Sequence, residues 1–175
     1  MIVLTGLHGS GKSHLCSILK SEGCYIVNKR EILSRMFLDQ GKGYSFDDWM
    51  KHQYTTPGND AANMMLRILD YVPKDQLIQN MLLVFDAIHN LAEWEVIYTK
   101  YPNSILALVA SPLNVRASRN SIEDEILDKK RVQYWHESSV EGKSSCLMSH
   151  VEACFNGNIS DTVQTQIVRE FISTL

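Results

Sequence analysis

Apolar positions along the chain follow two alternating patterns. Short continuous apolar runs are typical of strands that are buried on both faces of a sheet. Longer segments repeat apolar residues every three or four positions, which is typical of amphipathic helices. The predicted strands are Ile2–Thr5, Cys24–Val27, Met81–Phe85, Ser104–Ala110 and Glu152–Phe155. The predicted helices are about Gly11 to Ser21, Lys29–Asp39, Asp47–Tyr54, Asp60–Leu69, Leu91–Lys100, Pro112 to about Arg119, Glu123–Trp135 and about Asp161 to Ile172.

Strands that alternate with helices predict an α/β fold, with a parallel sheet covered by helices on both faces. We expect three layers and five strands in the order 2-3-1-4-5. Ser45 and Ser160 precede two helices as caps, 56–59 forms a turn, 73–75 ends a helix, and 136–145 is polar and loose. Because no linker or internal repeat interrupts the pattern, residues 1–175 are expected to form one domain.

The most specific motif follows the first strand. Residues 6–13 read GLHGSGKS, which matches the phosphate-binding loop G-x-x-x-x-G-K-[ST]. Glycines leave room for backbone N–H groups to approach a polyphosphate, and the following helix N-terminus favours the anion. The predicted nucleotide-binding residues are Gly6, His8, Gly9, Ser10, Gly11, Lys12, Ser13 and the adjacent His14. The loop predicts ATP as a ligand, and we call residues 6–13 the phosphate loop.

Two residues are candidates for holding Mg²⁺. The Ser13 hydroxyl is the loop's usual metal ligand. Asp86 ends the apolar run MLLVF, where a carboxylate lies beside the loop and binds the metal directly or through water. Lys12 and Asp86 are therefore the first candidate catalytic residues, with a helix cap as the alternative role for Asp86.

Two arginines could stabilise the transferring phosphoryl group. Arg116 and Arg119 are three residues apart, so a helix would place both guanidinium groups on one face. Arginine supplies charge and paired hydrogen bonds to a phosphate. A solvated helix face is the alternative. The basic run 129–131 could also close over the phosphates or pair with acids on its own helix.

Candidate acceptor residues follow the second and third strands. Arg30 and Arg35 come after the second strand, and Arg30 is the stronger candidate for holding an acceptor phosphate. His89 follows Asp86 by three residues and would face the same cleft, while Arg67 is a weaker candidate. We interpret the tryptophans as packing residues and residues 156–158 as an adenine-side loop.

The charge and composition of the chain argue against several classes of binding partner. A net charge of −3 and a pI of about 6.0 give no general attraction to nucleic acid or anionic membranes. No apolar stretch approaches the ~20 residues of a membrane span. The four cysteines show no metal-ligand spacing and predict reduced thiols in a cytoplasmic protein, and the first strand leaves no room for a signal peptide.

The chain resembles small phosphate-loop kinases of the adenylate kinase and dephospho-CoA kinase type, and more closely the dephospho-CoA-kinase-like ATPases known mainly from archaea. Beyond the loop, residues 58–61 (GNDA) are similar to their G-P-D-A segment. Residues 86–89 (DAIH) are similar to their D-G-I-R segment, and Glu95 and Val96 match the E-V that follows it. The R-x-x-R pair and a charged helix ending at Trp135 follow in the same order. The resemblance implies a P-loop NTPase fold and ATP- and Mg²⁺-dependent phosphotransfer.

Departures from that pattern bear on the acceptor. Ala87 and His89 replace glycine and arginine of the D-G-I-R segment, and the short stretch after Arg119 leaves no long lid. Dephospho-CoA kinases usually keep an aspartate after strand 2, as a base for a hydroxyl, whereas this chain has Asn28 and basic residues. This favours a phosphorylated acceptor that needs charge compensation.

Three functions remain open at this point. The leading hypothesis is a kinase for a nucleotide-like small molecule, first a ribo- or deoxynucleoside monophosphate. The second is phosphorylation of a hydroxyl group, with dephospho-CoA as the first candidate. The third is an ATP-binding switch or slow ATPase that works with a protein partner. A homodimer is compatible with each of them.

Overall fold

A computed structural model describes residues 1–55, 60–72, 81–136 and 146–175. The strands are β1 (Ile2–Thr5), β2 (Tyr25–Asn28), β3 (Leu83–Asp86), β4 (Ile105–Ala110) and β5 (Val151–Asn156). The helices are α1 (Lys12–Ser21), α2 (Lys29–Gln40), α3 (Phe46–Thr55), α4 (Ala61–Asp70), α5 (Leu91–Lys100), α6 (Leu113–Ala117), α7 (Ile122–His136) and α8 (Asp161–Ser173), with a 3₁₀ turn at Leu147–His150.

The five strands form one parallel sheet in the order β2-β3-β1-β4-β5. The α/β class, the layer arrangement and the strand order are therefore confirmed. The register aligns Leu4 of β1 with Asp86 of β3, and Asp86 with Asn28 of β2. All five carboxyl ends meet along one edge, which is where ligands bind in open α/β sheets.

Two apolar clusters cover the two faces of the sheet. On one face, Ile2, Leu4 and Val84 pack with residues of α1 and α8. On the other face, Val3 and Phe85 pack with a larger set from α2, α3, α4, α5 and α7. Alternate strand residues thus enter different clusters, because successive side chains of a strand point to opposite faces. Helices therefore cover both faces of the sheet, and the three predicted layers are present.

Side-chain caps fix several helix starts. Asn28, Asp60 and Asn90 each accept a backbone N–H from the first turn of the helix that follows. The Ser45 hydroxyl accepts the Asp48 N–H at 3.1 Å, which confirms the predicted cap. Ser160 precedes α8 as predicted but makes no side-chain cap hydrogen bond.

The remaining expectations concern the tryptophans, the loops between elements and membrane-spanning helices. The predicted packing role is confirmed for all three tryptophans, which are buried: Trp49, Trp94 and Trp135. The expected turn at 56–59 and break at 73–75 lie outside the described residues. His136 ends α7, and the rest of the expected loose segment is likewise not described. Among the described helices, none is long and apolar enough to cross a membrane.

Candidate functional site

The phosphate loop leaves the carboxyl end of β1 and leads into α1. Gly9 has a left-handed backbone (φ +66°), and a Cβ there would lie 2.5 Å from the Asn120 Oδ1 and 3.1 Å from the Arg116 carbonyl oxygen. Only a glycine allows the segment between α6 and α7 to approach the loop this closely. The loop is therefore packed against this segment on one side.

Lys12 lies folded over the loop that contains it. Its Nζ donates hydrogen bonds to the carbonyl oxygens of Gly6 at 2.9 Å and Leu7 at 2.8 Å. Burial lowers the pKa of Lys12 to about 8, with the Arg131 charge acting in the same direction and Asp86 opposing it. The ammonium group is thus held at the loop in a setting where an anion would stabilise its charge.

Asp86 lies next to Lys12, as the sequence predicts for a residue that ends β3. Burial raises the pKa of its carboxyl group, while the Lys12 charge and a hydrogen bond from the Cys16 thiol oppose the rise. Burial also raises the pKa of Cys16, so its thiol remains the hydrogen-bond donor at neutral pH. Cys16 was missed by sequence reasoning, which considered the four cysteines only as reduced thiols without metal-ligand spacing.

The residues at this edge fit a magnesium ion. The Asp86 carboxylate is partly buried and gains from a nearby positive charge, and Ser13 is exposed at the start of α1. Both supply hard oxygen ligands of the kind that Mg²⁺ prefers. The described residues contain no group of three or more His, Cys, Asp or Glu side chains that could hold a metal. Magnesium in such sites takes few protein ligands and completes its shell with phosphate and water.

The loop after β5 packs against the other side of the phosphate loop. A Cβ on Gly157 would lie 1.7 Å from the Ser10 carbonyl oxygen, so this position admits only glycine. The Ser111 hydroxyl donates to the same carbonyl oxygen at 2.9 Å. The predicted adenine-side segment is thus adjacent to the phosphate loop. Close by, His14 Nε2 lies 3.0 Å from a carboxylate oxygen of Asp161, and both side chains are exposed.

The two predicted phosphate arginines both lie at the loop, but not on one helix face. Helix α6 ends at Ala117, so Arg119 lies beyond it rather than within it. The Arg119 Nη1 donates to the carbonyl oxygens of Gly9 at 3.0 Å and Gly157 at 3.5 Å. Arg116 instead turns toward α7. The expectation of a shared face was wrong because the helix is shorter than the pattern predicted.

Asp128 on α7 is the residue to which Arg116 turns, and it was not among the predicted site residues. Its carboxylate is almost fully buried and accepts the His8 backbone N–H at 2.9 Å. Arg116 Nη1 lies 3.1 Å from one of its oxygens and Arg131 Nη1 lies 3.3 Å from the other. Sequence reasoning considered Asp128 only as a surface partner of the basic run, since helical spacing does not reveal a long-range contact.

His8 is enclosed by the same segment. Its Nδ1 lies 3.2 Å from an Asp128 oxygen and 3.6 Å from an Asp124 oxygen, and Arg131 Nη1 approaches both ring nitrogens at 2.9 Å. The Asn120 amide donates to the His8 carbonyl oxygen at 3.2 Å. Through these contacts, His8 connects the phosphate loop to α7.

His89 follows β3 and lies near Lys12, Lys29 and Arg131 as an uncharged ring. Its backbone N–H donates to Glu93 at 2.9 Å, and its Nδ1 is buried without a partner among the described residues. Burial first, and then the charges of Arg131, Lys29, Lys12 and His8, lower its pKa to about 2. The imidazole is therefore neutral at physiological pH.

Lys29 is the basic residue after β2 that turns inward. It forms a buried ion pair with Glu93, which also holds the His89 backbone. Arg30 and Arg35, the predicted acceptor residues, lie on the exposed face of α2 instead. They line an open surface cavity at the end of β2, together with Asn28, Glu31 and Ser34. Arg67 is used elsewhere, since its guanidinium donates to the side chains of Gln53 and Gln40.

Several solved structures with a similar fold are kinases of small molecules. A sugar kinase from Janibacter is 12% identical with a TM-score of 0.62, covering 98% of this chain and 93% of the kinase. The Mycobacterium tuberculosis APS kinase in complex with AMPPNP and APS is 16% identical with a TM-score of 0.57, covering 98% and 96%. Shikimate kinase from Aquifex aeolicus is 15% identical with a TM-score of 0.51, covering 99% and 94%.

A sequence relative is consistent with this fold. A UPF0200 protein from Sulfurisphaera tokodaii is 25% identical over 120 residues, which span 68% of this chain and 63% of that protein. No protein-family model matches the chain. The sequence motif, the strand order and these likenesses agree, and the chain has the fold of P-loop kinases.

Proposed function

We propose that the protein transfers a phosphoryl group from ATP to a small-molecule acceptor in a Mg²⁺-dependent reaction. The observation that carries this proposal is the adjacency of Lys12 in the phosphate loop and the partly buried Asp86 at the carboxyl end of β3. Transfer of a phosphoryl group depends mainly on positioning and charge stabilisation, and this edge of the sheet supplies both.

Each loop residue has a distinct part in this scheme. The backbone N–H groups of the phosphate loop and the Lys12 ammonium bind the β- and γ-phosphates. Ser13 and Asp86 hold Mg²⁺, which when bound neutralises charge that develops on the phosphate oxygens. The lowered pKa of Lys12 is consistent with this role, because a bound phosphate would offset the cost of burying its charge.

Arg116 and Arg119 are proposed to stabilise the transferring group from the side of α6. Arg119 is anchored by carbonyl oxygens of Gly9 and Gly157, which hold the side chain at the loop without neutralising its charge. The Arg116 backbone also lies beside Gly9, but its guanidinium group is paired with Asp128. The two arginines thus reach the loop from different directions rather than as a parallel pair.

The acceptor we propose first is a nucleoside monophosphate or a similar phosphorylated molecule. Arg30 and Arg35 support this, since they share one open cavity at the end of β2. An acceptor phosphate is an anion and needs compensating positive charge. His89 is a further candidate for contacting the acceptor, through its neutral imidazole ring.

A hydroxyl acceptor is the second candidate, and one observation favours it. The inward-facing Lys29 is paired with Glu93, so the segment after β2 offers an acceptor less free positive charge than the sequence indicates. Burial also raises the pKa of Asp86, which makes its carboxylate a stronger base for a hydroxyl proton. Dephospho-CoA remains the first molecule to test in this class.

Transfer from γ-labelled ATP to a panel of acceptors tests these proposals. The panel contains ribo- and deoxynucleoside monophosphates and dephospho-CoA, with a reaction lacking acceptor as control. A labelled phosphoanhydride supports the first candidate, and a labelled phosphomonoester supports the second. Label found only as free phosphate, at one rate with or without acceptors, would contradict the kinase proposal and favour an ATPase that works with a protein partner.

A further inference from the structure

Three hydrogen-bond donors from three segments converge on the carboxylate of Asp128. The His8 N–H comes from the phosphate loop and lies 2.9 Å from Oδ1. Arg116 comes from α6 and lies 3.1 Å from Oδ2, while Arg131 comes from α7 and lies 3.3 Å from Oδ1. Two guanidinium groups and a loop amide are the groups that proteins use to bind phosphate oxygens.

Asp128 and its two arginine partners are too buried to form an ordinary surface ion pair. The residue is 6% exposed, and its two arginine partners expose 16% and 18% of their side chains. Solvent therefore screens these charges weakly, and each contact counts for more than it would at the surface. The Asp128 charge also acts to raise the pKa of Lys12, so this carboxylate lies within electrostatic range of the loop lysine.

We propose that Asp128 occupies the position of a phosphate oxygen and sets the affinity of the loop for the donor. This inference rests on the proposed function, because it assigns the same loop to a nucleoside triphosphate. The carboxylate and a donor phosphate group compete for Arg116, Arg131 and the His8 N–H. The donor therefore binds by displacing the Asp128 side chain from these partners.

We expect that removing the negative charge of Asp128 tightens the binding of the donor. Asp128→Asn keeps the size of the side chain and an oxygen that can accept the His8 N–H, but it removes the negative charge. Arg116 and Arg131 then lose the carboxylate that they share, and although Asp124 and Glu93 still attract Arg131, a phosphate meets less compensated positive charge. At an effective dielectric constant of about 20, a full charge at these distances is large enough to change binding by roughly tenfold or more.

The test measures binding without turnover. Dissociation constants for MgATP and for inorganic tripolyphosphate are determined by calorimetry at low and high salt, for the wild type and Asp128→Asn. We expect both ligands to bind the variant roughly tenfold more tightly at low salt, with a smaller gain at high salt. Glu125→Gln is the matched control, because it removes the same charge from an exposed position on α7. We expect no comparable gain from it.

Two results would overturn the inference. Unchanged affinity in Asp128→Asn would mean that the carboxylate does not compete with the donor. Weaker affinity would mean that Asp128 builds the phosphate site rather than blocking it. If Asp128→Asn fails to fold, as judged by circular dichroism, Asp128→Ser gives the same test with a shorter oxygen acceptor.

The inference and the proposed function can fail separately. Tighter binding of tripolyphosphate by Asp128→Asn supports the competition even if no acceptor in the panel is phosphorylated. Phosphoryl transfer by the wild type with unchanged binding by the variant would overturn the inference alone. Calorimetry and the transfer assay therefore answer different questions.

Discussion

At the scale of single residues, the site divides into positions that a motif encodes and positions that only the fold reveals. Gly6, Lys12 and Ser13 follow from the spacing of the loop, because each has a fixed relation to a polyphosphate. Asp86 follows from its place at the end of an apolar run. Asp128 does not, since a residue on an amphipathic helix acquires its partners only when that helix packs.

The residues proposed to bind the acceptor also show how far a sequence pattern can differ from the side-chain positions in the fold. Sequence reasoning counted the basic residues after β2 and proposed Arg30 as the acceptor ligand. The structure turns Lys29 inward and pairs it with Glu93, which lies 64 positions further along the chain. Local sequence gives the charge of a segment but not the direction in which each side chain points.

The pKa of Lys12 predicts a pH dependence of donor binding. The ammonium form binds phosphate, and it predominates below a pKa of about 8 and is lost above it. Affinity for MgATP should therefore fall as the pH rises from about 7.5 to 9.5, by up to about tenfold per pH unit. Isothermal titration across this range measures the fall.

Lys12→Arg is the matched variant for this titration. Its guanidinium remains charged throughout the range, so its affinity for MgATP should stay level whatever its absolute value. A wild-type affinity that is constant to pH 9.5 would show that Lys12 keeps an ordinary pKa in the free protein.

At the scale of elements, helix positions could be predicted well and helix ends less well. The apolar period placed α5 at its observed bounds, Leu91–Lys100, because a strong pattern is flanked by a cap and a proline-containing turn. The helix after β4 was predicted to reach about Arg119 but ends at Ala117. The segment beyond it is drawn to the phosphate loop by hydrogen bonds from Arg119 and Asn120, which a local pattern does not contain.

Asn28 provides an element-scale prediction for α2. Its side-chain oxygen accepts the N–H groups of Arg30 at 3.0 Å and Glu31 at 3.2 Å. Asn28→Ala should lower the free energy of unfolding by about 1 kcal/mol, whereas Asn28→Asp should retain the cap. Urea unfolding of the three proteins measures this difference. Equal losses in both variants would show that the side chain matters for something other than the cap.

Gly157 provides a second prediction, for the contact between the loop after β5 and the phosphate loop. A methyl group at this position would lie 1.7 Å from the Ser10 carbonyl oxygen, so one backbone must move. Gly157→Ala should lower the free energy of unfolding by about 1–3 kcal/mol and should weaken MgATP binding. Thermal unfolding and calorimetry measure the two effects.

Asn158→Ala is the neighbouring control, because Asn158 is exposed. We expect its unfolding free energy to stay within about 0.5 kcal/mol of the wild type. Normal MgATP affinity in Gly157→Ala would mean that the phosphate loop does not depend on this contact for its shape.

At the scale of the whole molecule, the sequence was sufficient to predict the α/β class and the strand order. Five short predicted strands separated by helices admit few topologies, because parallel connections are short and right-handed. The distribution of the core over both faces of the sheet followed from strand alternation. The network around Asp128 could not be predicted, since it joins the phosphate loop, α6 and α7 across more than a hundred residues of chain.

The most direct test of the account is the rate of phosphoryl transfer from MgATP by the wild type and by Lys12→Ala, with the best acceptor of the panel. Lys20→Ala, an exposed lysine in the last turn of the same helix, is the control. The account predicts that Lys12→Ala loses transfer by at least about a hundredfold while its circular dichroism is unchanged, and that Lys20→Ala transfers normally. Full activity in a folded Lys12→Ala protein would contradict the assignment of the phosphate loop as the catalytic site.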